Sequence, residues 1–524
     1  MRGWPSRSWS QTWYIVSNMT ITLILFGGAA LLELLAHIFG KGQRIRGVFA
    51  AASLIVGGFA AGMLAASQLN IFSVLIALLS LYRVFNMIRI VEARMHETYL
   101  RRATLRTSLM LLAMQGAFFG IWLLWTDYRT TGFTTWSIVA GAQLIVAALL
   151  LLSVLRSLKR TSWPGETEHY SDKELPTVTV AIPARNETED LQRCLESVIA
   201  STYPKLEVIV LDDCSQLKRT PQIIKEFAHA GVRFVQGHEP RPTWLPKNEA
   251  YDRLANEATG QYILFCGVDI RFAPDSISHI VSTMLSRKKK MLSLLPRRQN
   301  AAQGHLSLIQ AMRYWWELVP PRRMFNRPPV ISSCWVIESG ALKKSGSFAA
   351  VARAIVPEAH FARELAKTDE YSFLRSGNLP SVESNKHVTD QRNTAIRMRY
   401  PQLHRRPEQT ALVTLLESFF LLFPFVLAIA GLWVDIGVFA HIMAVSASLL
   451  LTITYELAVL STRVNTWWFG LVAQPLAILA DIVMAHYSMW KYEFSSIDWK
   501  GRNVCIPVMH VVPHLPDTEN PRNV

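Results

Sequence analysis

The sequence has five cysteines but no Cys-x-x-Cys pair, which argues against a zinc site or a dithiol redox motif. Four of them, Cys194, Cys214, Cys266 and Cys334, fall in one polar stretch of the chain, and we expect that stretch to lie in a reducing compartment. The sequence also lacks an internal repeat and a low-complexity segment. No cleavable signal peptide is evident, because the first apolar run is long enough to span a membrane and carries Glu33.

Acidic residues are in the minority. The 524 residues include 54 Lys and Arg but only 39 Asp and Glu, which gives a formal net charge of +15. A basic balance can indicate nucleic-acid binding. Here, however, 50% of the residues are hydrophobic, and the cations flank long apolar runs where they would face anionic lipid headgroups. The composition therefore favours a membrane protein and disfavours a nucleic-acid partner.

Long apolar runs occupy both ends of the chain and predict transmembrane helices. Each is near the roughly 20 residues that cross a bilayer; they are 13–39, 47–67, 70–92, 108–126, 136–155, 411–433, 437–460 and 467–489. Basic residues concentrate in alternate short loops, at 41–46, 94–106 and 156–160. This pattern predicts an outside N-terminus and a cytosolic segment after the fifth helix, as in a bacterial plasma-membrane protein.

The orientation of the C-terminal tail is ambiguous. Three spans would place the tail outside, yet the basic, aromatic segment 499–502 is typical of the cytosolic side. We therefore expect one of the last three apolar segments to be re-entrant or interfacial. The predicted division is a transmembrane region at 1–160, a polar segment at 161–405 (the island), a second transmembrane region at 406–490 and a polar tail at 491–524.

The island alternates apolar strands with helical stretches. Strands are predicted near 177–182, 206–211, 232–235 and 261–266, with helices near 188–200, 219–230 and 246–258 between them. This alternation predicts an α/β domain with a mostly parallel sheet wrapped by helices. Residues 301–325 differ, because apolar, aromatic and polar positions alternate at helical spacing. That segment is either an amphipathic helix at the membrane surface or an ordinary lid or core helix.

Acidic residues follow the predicted strands where the strands end. Glu187 follows the first, Asp212 and Asp213 end the second, and Asp269 follows the fourth. Carboxylates at this edge of an open sheet can accept hydrogen bonds from the base and ribose of a nucleotide. Alternatively, one of the aspartates caps the next helix, and Glu187 is a helix N-terminal charge favoured by the dipole.

Three motifs carry a family resemblance. Residues 180–187, 208–215 and 244–248 resemble, in this order and spacing, the first two strand ends and the Trp-x-Gly-Lys segment of membrane-integrated family-2 glycosyltransferases. The resemblance is closest to the branch with ceramide glucosyltransferase and the glycosyltransferases of bacterial hopanoid and carotenoid clusters. It implies an α/β GT-A (Rossmann-like) cytosolic domain embedded between α-helical transmembrane bundles. The layout of eight spans also resembles that of cellulose synthase.

The resemblance implies a nucleotide-sugar donor, with UDP as the expected nucleotide. The predicted nucleotide contacts are Pro183, Arg185, Glu187, Asp212 and Asp213. Lys247 would pair with the diphosphate as a point charge, or it is a solvated surface lysine.

A divalent metal, Mg²⁺ or Mn²⁺, usually neutralises the diphosphate in this family and is held by Asp-x-Asp. Gly267-Val268-Asp269 stands there instead, so the first aspartate is absent. Asp269 keeps the position of the usual direct ligand, so metal binding could be weaker, or carried by Asp269 with water and the diphosphate oxygens. A structural turn role is the alternative.

The catalytic base is predicted from an acidic pair that follows a Gly-Gly segment in this branch. Glu358 stands where the family has its catalytic Asp, and Pro357 replaces the preceding Glu. Such a carboxylate takes the acceptor hydroxyl proton during an inverting transfer. Asp369, in a Thr-Asp-Glu sequence that resembles the Thr-Glu-Asp of cellulose-type synthases, is the second candidate.

Arg397 and Arg399 are the nearest match to the Gln-x-x-Arg-Trp box of processive synthases, although Gln is absent and Tyr400 replaces Trp. Either arginine could neutralise the leaving diphosphate, or both belong to a juxtamembrane basic cluster.

Three functions are compatible with these observations. The first is a glycosyltransferase that passes a sugar to a membrane lipid hydroxyl with inversion. The second is a processive polysaccharide synthase that exports its product, which the incomplete box and the scarcity of charge in the spans disfavour. The third is a catalytically degenerate binding or scaffold protein, because Gly267 and Pro357 each replace a family acid.

Overall fold

The computed structural model describes most of the chain. The described residues are 24–37, 43–67, 71–92, 98–127, 135–164, 170–241, 243–298, 308–320, 328–378, 380–462, 470–500 and 502–503. They divide into two compact units. The first comprises Met1–Ala147, Arg399–Ser448 and Ile482–Glu493, and the second comprises Ala148–Met398, Leu449–Asp481 and Phe494–Val524.

Every apolar run predicted as a span contains a helix. Before the island these are α1 (Ile24–His37), α2 (Gln43–Ser67), α3 (Ile71–Glu92), α4 (Thr98–Asp127) and α5 (Thr135–Arg160). Within the described ranges, four helical segments are long and apolar enough to cross a membrane: Trp136–Arg160, Pro407–Ala430, Val438–Leu460 and Val472–Phe494. The part of the first predicted span before residue 24 lies outside the described residues.

The acidic residue in the first predicted span is neutralised by a neighbouring helix. Glu33 of α1 is fully buried and lies 2.7 Å from a guanidinium nitrogen of Arg83 on α3. Arg83 also donates a hydrogen bond to Gln115 of α4 at 3.0 Å. A charge among apolar helices is tolerated when it faces a partner inside the bundle, and this pair joins the first helices of unit 1.

The island forms a seven-stranded sheet. Its strands along the chain are β1 (Val178–Ala184), β2 (Leu206–Asp212), β3 (Val232–Gln236), β4 (Tyr262–Cys266), β6 (Met291–Leu295), β8 (Cys334–Glu338) and β9 (Tyr371–Arg375), and their order is β3-β2-β1-β4-β8-β6-β9. Strand β8 is antiparallel to β4 and β6, and the other neighbours are parallel. The four predicted strands and the mostly parallel sheet are confirmed.

Helices cover both faces of this sheet because the strands are apolar on both. One layer is α6 (Glu189–Ile199), α7 (Arg219–Glu226) and α9 (Ser276–Ser286), and the other is α8 (Pro246–Glu257), α11 (Ser339–Lys344) and α12 (Glu358–Lys367). Val180 and Ile182 of β1 point into the first core, whereas Ala181 points into the second. This alternation follows from the two-residue repeat of a strand.

A small sheet completes the island at the end of β4. It contains β5 (Ile270–Phe272), β7 (Arg297–Arg298) and β10 (Val382–Ser384), in the order β5-β10-β7. Helix α10 (Leu308–Leu318) is the described part of the predicted amphipathic segment, whose remainder at 301–307 and 321–325 lies outside the described residues. Buried Tyr314 and Trp315 lie on it, and the indole of Trp316 donates to Asp481 at 2.8 Å.

The last helices are α13 (Val388–Gln402), α14 (Pro407–Leu416), a π-helix (Glu417–Leu422), α15 (Phe423–Ala430), α16 (Val438–Leu460) and α17 (Gly470–Phe494). The residue pair after α16 contacts the island, since Arg298 N donates to Thr462 O at 2.7 Å. A short hairpin of β11 (Asp498–Trp499) and β12 (Arg502–Asn503) follows α17.

Candidate functional site

The carboxyl ends of β1 and β2 bring the first predicted site residues together. The two strands are parallel and in register, with Pro183 opposite Leu211 and Ala184 opposite Asp212. Each strand continues into a loop just beyond this pair. Arg185 and Asp213 therefore lie side by side at one edge of the sheet, as expected for a nucleotide site of an α/β fold.

Arg185 holds the turn after β2. Its side chain is buried, and its Nη1 donates to the backbone oxygens of Asp213 and of Cys214, the latter at 2.8 Å. Asn186, at a φ of 50°, accepts a hydrogen bond from Gln216 N at 2.8 Å. These bonds fix the relative position of the two loops.

Asp212 also has a local role. Its Oδ1 accepts a hydrogen bond from Ser215 N at 3.2 Å, which closes a turn. Asp212 does not cap the next helix, whose N-cap residue is Lys218. Gly237 N donates to Asp212 O at 2.9 Å, and a Cβ at residue 237 would lie 2.4 Å from that oxygen. Only glycine allows this close approach of the chain after β3.

Asp213 is the buried carboxylate that faces a cation from the tail. Arg502 Nη1 lies 2.7 Å from Asp213 Oδ1, and both side chains are under 10% exposed. Burial raises the pKa of Asp213, and the hydrogen bond and charge of Arg502 act in the opposite direction. A second nitrogen of Arg502 lies 3.1 Å from the exposed Glu239.

Glu187 is also paired with the tail. Its carboxylate contacts the ammonium of Lys500. The backbone oxygen of Lys500 accepts hydrogen bonds from Arg185 Nε at 3.0 Å and from Asn186 Nδ2 at 3.1 Å. The β11–β12 hairpin, residues 498–503, is thus seated on the two predicted nucleotide-binding loops. The sequence analysis did not predict this contact. The signal that could have indicated it is the pair of cations Lys500 and Arg502, opposite in charge to Glu187 and Asp213.

Asp269 lies beyond the end of β4, beside the small sheet. Its Oδ2 accepts a hydrogen bond from Ser384 Oγ at 2.9 Å, and its backbone oxygen accepts one from Asn385 N at 2.8 Å. A Cβ at Gly267 would lie 2.6 Å from Asp269 Oδ1. The glycine that replaces the family's first aspartate therefore lets the second one fold back over it.

Asp269 is the carboxylate at this strand end, and Gly267 offers no second one. Across the ranges that the structure describes, no group of three or more His, Cys, Asp or Glu side chains is placed to hold a metal ion. A divalent ion bound here would have Asp269 as its carboxylate and would take its other ligands from water and the diphosphate.

Glu358 and Lys247 form a second centre across α8 and α12. Glu358 is fully buried at the start of α12, and its Oε2 lies 3.6 Å from Lys247 Nζ. Neither carboxylate oxygen has a hydrogen-bond partner in the described part of the chain. The ammonium also lies 5.1 Å from the Tyr251 ring centroid. Burial lowers the pKa of Lys247, and the charge of Glu358 raises it.

An aromatic cluster adjoins Tyr251, the ring beside the Lys247 ammonium. The rings of Phe265 and Trp335 stack at 4.5 Å, and Trp335 stacks on Phe361 at 6.2 Å. Phe348 contacts Phe265 and Phe361 edge-on. Glu358 itself is fully buried. A carboxylate in such a place attracts any hydroxyl or cation that can reach it.

Three more cations lie near these carboxylates. Arg313 of α10 and Arg397 of α13 are close enough for their charges to lower the pKa of both Lys247 and Lys386. Burial is the main cause that lowers the pKa of Lys386 to about 8, and the charge of Asp269 raises it.

Two predicted residues are not brought to this centre. Asp369 lies past the other end of α12, about 15 Å along the helix from Glu358. Its side chain is 95% exposed and pairs with Lys289 at 3.0 Å in a turn with a φ of 58°. Arg399 belongs to unit 1, where it lies 3.3 Å from Glu417 of the π-helix. The structure thus provides no base at Asp369 and gives Arg399 a carboxylate partner.

Comparisons with known proteins agree with this geometry. Residues 179–346 match the model of the glycosyl transferase family 2. A 58-residue segment is 47% identical to the glycosyltransferase AglE of Haloferax volcanii, covering 11% of this chain and 19% of that protein. A 114-residue segment is 26% identical to the putative teichuronic acid biosynthesis glycosyltransferase TuaG of Bacillus subtilis, covering 21% of this chain and 43% of that protein. The chain thus spans less than half the length of these relatives.

Among solved structures, the chain is similar to the mannosyltransferase PcManGT of Pyrobaculum calidifontis in complex with GDP-Man and Mn²⁺. The identity is 16%, the TM-score is 0.42, and the match covers 66% of this chain and 99% of that one. S. aureus TarS 1-349 is similar at 14% identity and a TM-score of 0.30, with 60% and 91% covered.

The family match and the glycosyltransferase relatives together indicate a glycosyltransferase. The matched segment runs from the second residue of β1 to two residues after α11.

Proposed function

We propose that this protein is an integral-membrane hexosyltransferase that moves a sugar from a nucleotide-sugar donor, with UDP as the expected nucleotide, to a hydroxyl of a membrane lipid. One observation supports it above the others. Just beyond the segment 179–346 that matches the family 2 model, a fully buried carboxylate, Glu358, has no hydrogen-bond partner for either oxygen within the described residues and lies 3.6 Å from the Lys247 ammonium. An unsatisfied buried carboxylate is unfavourable unless a ligand serves it.

Glu358 would act as the base of a single inverting displacement. Its carboxylate takes the proton of the acceptor hydroxyl as that oxygen bonds to the anomeric carbon. The bond from the anomeric carbon to the phosphate oxygen breaks, and the nucleoside diphosphate leaves with the electron pair. Lys247 stabilises the ionised base before the reaction. No step is assigned to a metal.

The nucleotide would bind at the edge formed by β1 and β2. Asp213 and Glu187 provide buried or half-buried carboxylates there, which suit the N–H groups of a base and the hydroxyls of a ribose. Asp212 and Arg185 support the loops through backbone hydrogen bonds. Pro183 ends β1 opposite Leu211 and sets the direction of the first loop.

The acceptor is proposed to come from the membrane surface. Helix α10 carries the partly exposed Trp316, whose indole donates to Asp481 of α17. Aromatic side chains with one polar end are typical of membrane interfaces. A lipid whose hydroxyl sits at headgroup depth would therefore approach past α10.

Helix α17 is proposed to begin and end on the side of the island. The segment before it contacts the island through Thr462, and the hairpin after it contacts the island through Lys500. Its second half runs beside α3, since His486 contacts Tyr82 and Glu493 pairs with Arg89 at 2.7 Å. Two crossings, at 407–430 and 438–460, then return the chain to the side of the island, which supports the re-entrant alternative predicted from the sequence.

The test is sugar transfer by the purified full chain in lipid nanodiscs. Release of nucleoside diphosphate and lipid glycosylation are followed with UDP- and GDP-sugars, for the wild type and Glu358→Gln. Glu364→Gln, on the exposed side of the same helix, is the matched control. We expect loss of transfer in the first variant alone.

Equal activity of the wild type and Glu358→Gln would overturn the enzymatic proposal and favour a binding protein. Product length decides the remaining alternative. One sugar on each lipid supports single transfer, whereas a ladder of long glycans would establish a processive synthase.

A further inference from the structure

Cations from four elements converge near Asp269 and Glu358. Lys247 begins α8, Arg313 lies on α10, Lys386 follows β10, and Arg397 lies on α13. Lys386 is placed by its neighbour, because Asn385 N donates to Asp269 O at 2.8 Å. We call Lys247, Arg313, Lys386 and Arg397 the cationic group.

The charges in this group act on one another and on nearby acids. Lys247 pairs with Glu358 at 3.6 Å. Burial and the charges of Arg313 and Arg397 lower the pKa of Lys386, and the charges of Asp269 and Asp390 raise it. Arg313 Nε is buried and has no hydrogen-bond partner among the described residues. Cations held close together and partly removed from water are unfavourable without an anion.

We propose that the cationic group binds the diphosphate of the donor and neutralises the leaving group in the place where other family members use a metal ion. This inference rests on the proposed function and names its leaving-group site. Lys386 and Arg313 are the new residues, and neither lies in a motif that suggested the family. Fixed cations can supply the charge that a divalent metal supplies elsewhere. The cations would then explain why the first aspartate of the family motif can be replaced by Gly267, leaving Asp269 alone.

The experiment measures binding of inorganic pyrophosphate and UDP to the full chain in detergent micelles containing EDTA. We expect binding without metal, and at least a tenfold loss of affinity in Lys386→Ala and in Arg313→Ala. Lys343→Ala, an exposed lysine of α11, is the control and keeps wild-type affinity. Lys386→Arg keeps most of it, which separates lost charge from misfolding.

Several outcomes overturn the inference. Binding that requires Mg²⁺ or Mn²⁺, or variants that bind like the wild type, would remove the group's role. Tighter binding of a polyprenyl monophosphate than of UDP would assign the cations to a lipid acceptor instead. If sugar transfer occurs but requires a metal ion, the proposed function is supported and this inference is wrong. The experiment therefore distinguishes the two.

A separate observation concerns the hairpin at 498–503. Its Lys500 and Arg502 side chains hold Glu187 and Asp213, the two carboxylates best placed for a base and a ribose. Arg502 is 9% exposed and its carboxylate partner 8%, so water does not weaken this pair greatly. A nucleotide needs the same oxygens, and its neutral donors bind carboxylates less strongly than cations do.

We infer that the hairpin is an autoinhibitory gate that the donor must displace. This too rests on the proposed nucleotide site. The bonds from Arg185 and Asn186 to the Lys500 backbone explain how the hairpin is seated, and the two charges explain why it stays. Displacement exposes both carboxylates together, since Lys500 and Arg502 lie two residues apart.

The double variant Lys500→Ala and Arg502→Ala tests the gate through UDP affinity and through the KM and kcat for the donor. We expect about tenfold tighter UDP binding and a lower KM with kcat unchanged. Lys218→Ala, an exposed island lysine, is the control. Weaker binding would show that the hairpin is part of the donor site, and unchanged binding would show no competition; either result overturns the gate. If the wild type and the variant both fail to bind UDP or GDP, the proposed nucleotide site itself is wrong.

Discussion

The guanidinium of Arg502 lies 2.7 Å from the carboxylate of Asp213, although 289 residues separate them along the chain. The contact joins the tail beyond the last apolar helix to the loop after the second strand of the island. It places the tail beside the island, and it covers one of the carboxylates that the sequence marks for a nucleotide. The proposed membrane topology and the proposed gate both rest on this contact.

The first prediction concerns the base. Glu358→Gln keeps the size of the side chain but cannot accept the proton, so kcat should fall by about 10²–10⁴-fold. Asp369→Asn should leave kcat unchanged, because that carboxylate is exposed and pairs with Lys289. Initial rates of nucleoside diphosphate release measure both. A large loss in Asp369→Asn instead would move the base to the turn after α12.

The second prediction is a pH dependence of diphosphate binding. Burial and the charges of Arg313 and Arg397 bring the pKa of Lys386 to about 8, while Asp269 and Asp390 raise it. Lys386 is charged below that pKa, so UDP affinity should be greatest at lower pH and fall as pH rises past 8. Bound diphosphate raises the pKa and moves the midpoint upward.

The control for this dependence is Lys386→Arg. A guanidinium stays charged across the range. The UDP affinity of this variant, measured by titration calorimetry at each pH as for the wild type, should therefore be constant up to pH 9. A fall of equal size in the wild type and in this variant would assign the dependence to another group.

The third prediction uses the close approach at Gly237. In Gly237→Ala the new Cβ would lie 2.4 Å from Asp212 O and 2.9 Å from Asp213 Cα. Relief requires the loop after β2 to shift, at a cost of about 1–3 kcal/mol. We expect a lower melting temperature and weaker UDP binding. Gly231→Asn, at a φ of 84° with open space around it, is a matched glycine change that should retain binding.

The fourth prediction concerns topology. Reporter fusions are made in the loop between α15 and α16, at residues 431–437, and after Val524. We expect alkaline phosphatase to be active in the loop fusion, and a fluorescent protein to mature at the C-terminus. The reason is that α17 begins and ends on the side of the island. A phosphatase active at the C-terminus would show that α17 crosses.

Much of the fold was predictable because its signals are local. The strands at 178–184, 206–212, 232–236 and 262–266 are apolar runs bounded by polar loops, and each lies within two residues of its prediction. The helices between them are amphipathic with a clear period. Their alternation implies parallel neighbours. The antiparallel insertion of β8 between β4 and β6 was not predictable, because strand order depends on contacts between distant segments.

The candidate site was predictable only in part. Glu187, Asp212 and Asp213 were found because they directly follow strands, and Glu358 because of the family register. Lys386 and Arg313 lie in no motif, so no local pattern distinguishes them from the other residues among the 54 Lys and Arg. Asp369 lies in a sequence that resembles a family motif, but in the structure it occupies an exposed turn.

The amino-acid sequence by itself determined the membrane helices, the α/β island and the acidic strand ends, because hydrophobic periodicity and chain direction act over a few residues. Tertiary structure alone decided which charges meet. Ion pairs such as Arg502 with Asp213 and Lys247 with Glu358 join segments that are far apart in the chain. Burial and the packing of whole elements determine which residues pair, and no local sequence pattern encodes either of them.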